Sequence, residues 1–175
     1  GAGSNGLEAL VPMISASGVL TSITRNGSSI PFVADSIKGV AYGRFSATTG
    51  SYVATYAADV TAPTVASQSP AGGATGVSVT TVVTTTFSEA VDPATVNGST
   101  FQLRDPSNAL VAASVSYNAG TNTATLTPSG TLAGSTTYTV TIKGGVTDPR
   151  IKDLAGNALA SSVTWSFTTV APPTG

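Results

Sequence analysis

Between residues 62 and 170 apolar and polar positions alternate with a period of two, in segment after segment. Val77, Val79, Val83 and Phe87 fall on one face of the stretch 77–87. Val111, Ala113, Val115 and Tyr117 do so in 110–117, and Ala124 and Leu126 in 122–127. Tyr138, Val140 and Ile142 repeat the pattern in 137–143, as do Val163, Trp165 and Phe167 near the end. Successive side chains of a strand point to opposite faces, so each alternation predicts a strand with one buried face. Turn-forming runs separate these segments: Ser69-Pro-Ala-Gly-Gly73, Asp92-Pro93, Asn118-Ala-Gly120, Pro128-Ser-Gly130, Lys143-Gly-Gly145 and Ala155-Gly-Asn157. Short strands at this spacing predict an all-β sandwich or barrel. In its core Phe87, Phe101, Tyr138, Trp165 and Phe167 would each contribute roughly 1.5–3 kcal/mol on burial.

Residues 6–58 also read as strands, less regularly. Asn26-Gly27 lies inside the β-type run Ile23–Ile30. Both residues tolerate positive φ, which makes this the strongest short hairpin signal. Thr48-Thr-Gly50 between 39–45 and 51–56 predicts a second hairpin. The segment is small for an independent domain. It is expected to be the tail of a preceding domain or to dock on the second one. Ala57-Ala-Asp-Val-Thr-Ala-Pro63 is small, polar and ends in proline, which favours an extended connector. The expected organisation is therefore a small β-rich segment at 6–58, a sandwich at 62–170 and a linker at 171–175. Gly1-Ala-Gly-Ser4 reads as an artificial leader and Ala171-Pro-Pro-Thr-Gly175 as a cut linker. The chain is thus expected to be a piece of a longer secreted protein.

Composition narrows the function classes. The chain is 41% hydrophobic and only 9% charged, too apolar for disorder. Its polar surface must be built from Thr, Ser, Asn and Gly. The formal net charge is −1, and Arg25, Lys38, Arg44, Arg104, Lys143, Arg150 and Lys152 are scattered. Nucleic-acid binding needs clustered cations and is not expected. There is no run of about 20 apolar residues, so no helical membrane insertion is expected. Absence of Cys and His removes the usual zinc, copper and iron ligands and excludes Ser-His-Asp and Cys-His catalysis.

Motifs in order along 62–170 resemble the bacterial Ig-like domain of the S-layer-protein type. They are Ala62-Pro-Thr-Val65 with Ser69-Pro70, Gly76-Val77, Phe87-Ser-Glu-Ala-Val-Asp-Pro93 and Ser99-Thr-Phe101. Leu126-Thr-Pro128, Leu132 with Tyr138, Asp153-Leu-Ala-Gly-Asn157 and Trp165-Ser-Phe-Thr-Thr169 complete the set. The resemblance implies an Ig-like Greek-key β-sandwich and a non-catalytic spacer or stabilising module in a secreted or cell-surface multidomain bacterial protein; a monomer is expected. Its implied partners are the neighbouring domains. Leu132 and Tyr138 also resemble a tyrosine corner, in which the hydroxyl bonds backbone a few residues upstream.

Three chemistries remain to be weighed. Glu89 and Asp92 could pair as glycosidase carboxylates, but Asp before Pro initiates a turn and catalysis is not expected. Asp148, Asp153 and Asn157 offer calcium three oxygens, against the six to eight it takes. A turn with Gly156 at positive φ explains them without metal, so no cofactor is expected and calcium stands as the alternative. An isopeptide bond needs an inward Lys, and Lys143 follows the buried Ile142, so it should face solvent. The functional rival is a carbohydrate-binding module, with polysaccharide as partner. Its stacking platform would draw on Tyr42, Phe45, Tyr52 and Tyr56, although core packing is the preferred role of these rings.

Overall fold

A computed structural model describes residues 6–15 and 18–171. The expected leader Gly1-Ala-Gly-Ser4 and all but the first residue of the expected linker lie outside the described residues. The chain divides into two compact units, Gly1–Val60 and Thr61–Gly175. Both are built from antiparallel strands, and no α-helix occurs among the described residues.

The first unit holds strands β1 (Glu8–Pro12), β2 (Ile14–Ser15), β3 (Gly18–Arg25), β4 (Ser28–Ile30), β5 (Val33–Ile37), β6 (Val40–Ser46) and β7 (Tyr52–Ala57). One sheet runs β1-β6-β5. In the other, β3 pairs with β2, β4 and β7. The Asn26-Gly27 hairpin forms as the sequence predicts: Arg25 faces Ser28, with φ of 50° and 84° at the turn. The second predicted hairpin does not form. β6 pairs with β1 and β5, β7 pairs with β3, and Thr48-Thr-Gly50 is a passage between sheets. Tyr52 holds that passage in place, its hydroxyl donating to the Thr48 carbonyl at 2.5 Å and accepting from the Thr48 N–H at 2.7 Å. The true second hairpin joins β5 to β6 through Lys38 and Gly39, with φ of 52° and 80°. Leu20, Ile23 and Phe45 form the small core.

The second unit holds β8 (Val65–Ser69), β9 (Val83–Phe87), β10 (Phe101–Arg104), β11 (Ala113–Asn118), β12 (Thr123–Pro128), β13 (Thr137–Ile142) and β14 (Val163–Thr168). The sheets are β11-β12-β9-β8 and β10-β13-β14. In chain order this is the four-plus-three strand arrangement of an Ig constant-type sandwich. The inward positions close one core that includes Phe87, Phe101, Leu126, Val140, Trp165 and Phe167. Trp165 places its indole N–H on the Pro70 carbonyl at 3.0 Å, so the buried polar end is satisfied. The tyrosine corner is present: the Ala133 N–H donates to the Tyr138 hydroxyl at 2.9 Å.

The predicted strand at 77–87 is shorter than its alternation implied. Only 83–87 is strand. The Ser78 hydroxyl accepts from the Thr80 N–H at 3.2 Å, and the Thr81 N–H donates to the Ser78 carbonyl at 3.1 Å. A hydroxyl that bonds its own backbone competes with the ladder, which converts 78–81 into a turn.

Candidate functional site

The four aromatic candidates separate by strand parity. On β6, Phe45 points inward and is buried, while Tyr42 and Arg44 share the opposite face. On β7, Tyr52, Ala54 and Tyr56 share one face, as their spacing predicts, and that face packs on the small core. The rings of Phe45 and Tyr52 lie 5.2 Å apart, tilted by 47°. Tyr56 donates its hydroxyl to the Pro12 carbonyl at 3.0 Å. Three of the four rings are therefore engaged in packing, and Tyr42 alone of the four stands on the outer face of the sheet β1-β6-β5.

Register sets the neighbours of Tyr42. Pro12 and Asp35 lie directly across from it, and Leu10 and Val33 lie across from Arg44. Arg44 donates to Glu8 at 2.7 Å and approaches Asp35 at 3.1 Å. The Glu8 hydrogen bond first, then the charges of Glu8 and Asp35, raise the Arg44 pKa and keep it protonated. This trio is not legible from residue order, because Glu8, Asp35 and Arg44 meet only through strand pairing.

The calcium candidates are spread over two separate arrangements. Asp148 is held by Lys152 at 2.9 Å and Arg150 at 3.2 Å. The Lys152 hydrogen bond is the main cause that lowers its pKa. Asp153 is 3% exposed, and its two carboxylate oxygens accept from the backbone N–H and the side-chain amide of Asn157, each at 2.8 Å. Gly156 has φ of 95°, as the turn requires. Glu89, not among the expected ligands, brings a carboxylate oxygen within 4.8 Å of one on Asp153. Asp92 caps the short 3-10 turn Pro93–Thr95, accepting from the Ala94 N–H at 2.9 Å.

Carboxylates already occupied by cations and amides are weak calcium ligands, and a weak site stabilises only by RT ln(1 + [L]/Kd). Thermal melts in millimolar calcium and in chelator are therefore expected to agree within about two degrees. A large upward shift with calcium, abolished by Asp153→Asn, would refute this.

An open groove of about 270 Å³ runs between β10 and β11, walled by Phe101, Leu103, Val111, Val115 and Leu126. Gln102 and Ser129 are the polar side chains of its lining. No helix among the described residues is long and apolar enough to cross a membrane.

No curated protein matches the chain. Among solved structures, domains 1–6 of the surface layer protein SbsC are 28% identical, with a TM-score of 0.47. That match covers 65% of this chain and 14% of the S-layer chain. CopC from Methylosinus trichosporium OB3b is 18% identical over 65% of this chain and 98% of its own, with a TM-score of 0.49. The Escherichia coli copper resistance protein PcoC is 17% identical over 61% and 98%, with a TM-score of 0.43. The chain thus spans about a seventh of the S-layer protein it matches. The sequence profile of the bacterial Ig-like domain matches residues 59–169, a stretch that holds the whole sandwich, and the chain belongs to that family.

Proposed function

We propose that the chain is a non-catalytic spacer and stabilising module of a secreted or cell-surface multidomain bacterial protein. One observation carries this reading. Hydroxyls line the outward positions of the paired strands β9 with β12 and β13 with β14 of the Ig-like unit and bond one another across strands. Thr137 meets Thr168 at 2.9 Å, Thr141 meets Thr164 at 3.4 Å, and Thr86 meets Thr123 at 3.1 Å. Such faces are wetted without charge and offer no converging acid, base or nucleophile. They suit a module that keeps neighbours apart without binding them. The family resemblance, which points to secreted multidomain proteins, supports the location.

The test exchanges residues 61–170 in the parent protein for an unrelated sandwich of similar length. Function of the flanking domains is expected to persist. Its loss, with both proteins folded and exported equally, would overturn the reading.

A further inference from the structure

The Ig-like sandwich has four edge strands, β8 and β11 in one sheet and β10 and β14 in the other. An edge presents unpaired N–H and C=O groups, and folded proteins usually blunt it. Three of the four are blunted here. β14 is covered by the segment 73–77, whose Val77 bridges Thr169. β10 is covered at its end by the connection that follows it. There Leu110 bridges Arg104, and the Val111 N–H donates to the Leu103 carbonyl at 2.8 Å. β8 has a register shift between Val65 and Ser67 and a proline beyond each end, Pro63 and Pro70.

β11 has none of these devices. Its register with β12 runs unbroken from Ala113 to Asn118. The Ser129 N–H donates to the Ala112 carbonyl at 2.8 Å, which fixes the alternation along the ladder. Ser114, Ser116 and Asn118 bond β12, and the backbone groups of Ala113, Val115 and Tyr117 point away from it. Nothing among the described residues pairs with them. Residues 106–142 include no Asp, Glu, Lys or Arg, so no charge guards the edge.

Alternating donors and acceptors at strand spacing are met by another strand. The pattern of β11 selects which one. Ala113-Ser-Val-Ser-Tyr117 reads alike in both directions: apolar, Ser, Val, Ser, apolar. Paired antiparallel with a second copy about Val115, it sets Ala113 opposite Tyr117, Val115 opposite Val115 and Ser114 opposite Ser116. Apolar side chains then meet on the inner face, where Ala113, Val115 and Tyr117 already pack on the core. Hydroxyls meet on the exposed face. Each of the outward-pointing residues joins a pair that exchanges both of its hydrogen bonds.

We infer that the β11 edge joins two copies of this chain, antiparallel about Val115, into one continuous sheet. The inference concerns an edge of the Ig-like unit, goes beyond the spacer reading and does not depend on it. One strand from each copy buries less than a standard interface, so association is weak, with Kd on the order of 0.1–1 mM. The same edge serves both copies, so assembly stops at the dimer.

Sedimentation equilibrium of the 17.2 kDa chain, up to a concentration on the order of 1 mM, tests this. A monomer–dimer equilibrium is expected, insensitive to salt because the pairing residues are uncharged. Ser114→Lys combined with Ser116→Lys sets like charges directly across the pair and should weaken the dimer about tenfold or more. Ser114→Lys combined with Ser116→Glu sets opposite charges across it and should dimerise at least as tightly as the parent. Both positions are exposed, and circular dichroism checks that both variants fold. A parent that stays monomeric overturns the inference and leaves the edge to a strand of another protein. Assemblies larger than a dimer overturn it too. A dimer indifferent to the paired lysines uses another surface and overturns it, as does loss of the dimer in both variants alike.

Discussion

Phe167→Ala is expected to cost the Ig-like unit about 3–5 kcal/mol of unfolding free energy. Phe167 is 1% exposed on β14, and its ring stacks on Tyr138 with centroids 6.0 Å apart and 29° between planes. The site has little freedom to collapse. β14 is held by six consecutive register pairs with β13, and Tyr138 is tied through its hydroxyl to Ala133. Truncation therefore leaves a cavity as well as losing the transfer energy of the ring. Trp165 is the only tryptophan of the chain and belongs to the same core, so its emission follows this unit alone. Urea titration should show an early midpoint with an unchanged slope. A loss below about 1 kcal/mol would mean that the ring is not in a rigid core.

Gly144→Ala is the second large effect, expected to cost about 2 kcal/mol or more. A Cβ at Gly144 would stand 2.5 Å from the carbonyl oxygens of both Leu159 and Ser161. Both obstacles are backbone, so no rotamer change relieves them. The Leu159 carbonyl is also fixed by the Gly145 N–H at 2.8 Å. Gly130→Ala is the control, because its added methyl meets nothing within 4 Å. That change should stay within about 0.5 kcal/mol. Equal midpoints for the two variants would show that the close approach at Gly144 is absent.

The Ig-like unit was readable because its information is local. Leu132 and Tyr138 lie six residues apart and make one corner, and strands β11 to β14 follow alternations visible in ten residues or fewer. What failed to read were choices settled by competition or by distance. Ser78 and Thr80 fit a strand by residue type, but their hydroxyls bond nearby backbone and end it. Thr48-Thr-Gly50 has hairpin composition, yet the strands on either side find better partners elsewhere. The candidate sites divide likewise. The aromatic cluster of the first unit was visible as composition. Its separation into packed Phe45, Tyr52 and Tyr56 and outward Tyr42 depended on which face of β6 and β7 each ring takes. The Arg44 trio joins Asp35, its hairpin neighbour, to Glu8, which only the pairing of β1 with β6 brings from far away in sequence. Asp153 and Asn157 are neighbours in the fold as in the sequence, and the amide of Asn157 serves the carboxylate itself.

The hydrogen bonds between segment 73–77 and the end of β14 give the Ig-like unit a direction of strength. The N–H groups of Gly73, Val77, Thr168 and Val170 donate to the carbonyls of Ser166, Thr168, Ala74 and Val77. The two segments run parallel, as the bridge between Val77 and Thr169 records. One leads in from the start of the unit and the other leads out to its end. A pull on the two ends therefore slides the segments past one another and loads all four bonds together. Had they run antiparallel at this point, the same pull would have opened the bonds one at a time, like a zip. Under tension the fold should thus resist as a lap joint does, with its yield force set by this short patch more than by the free energy of the whole core.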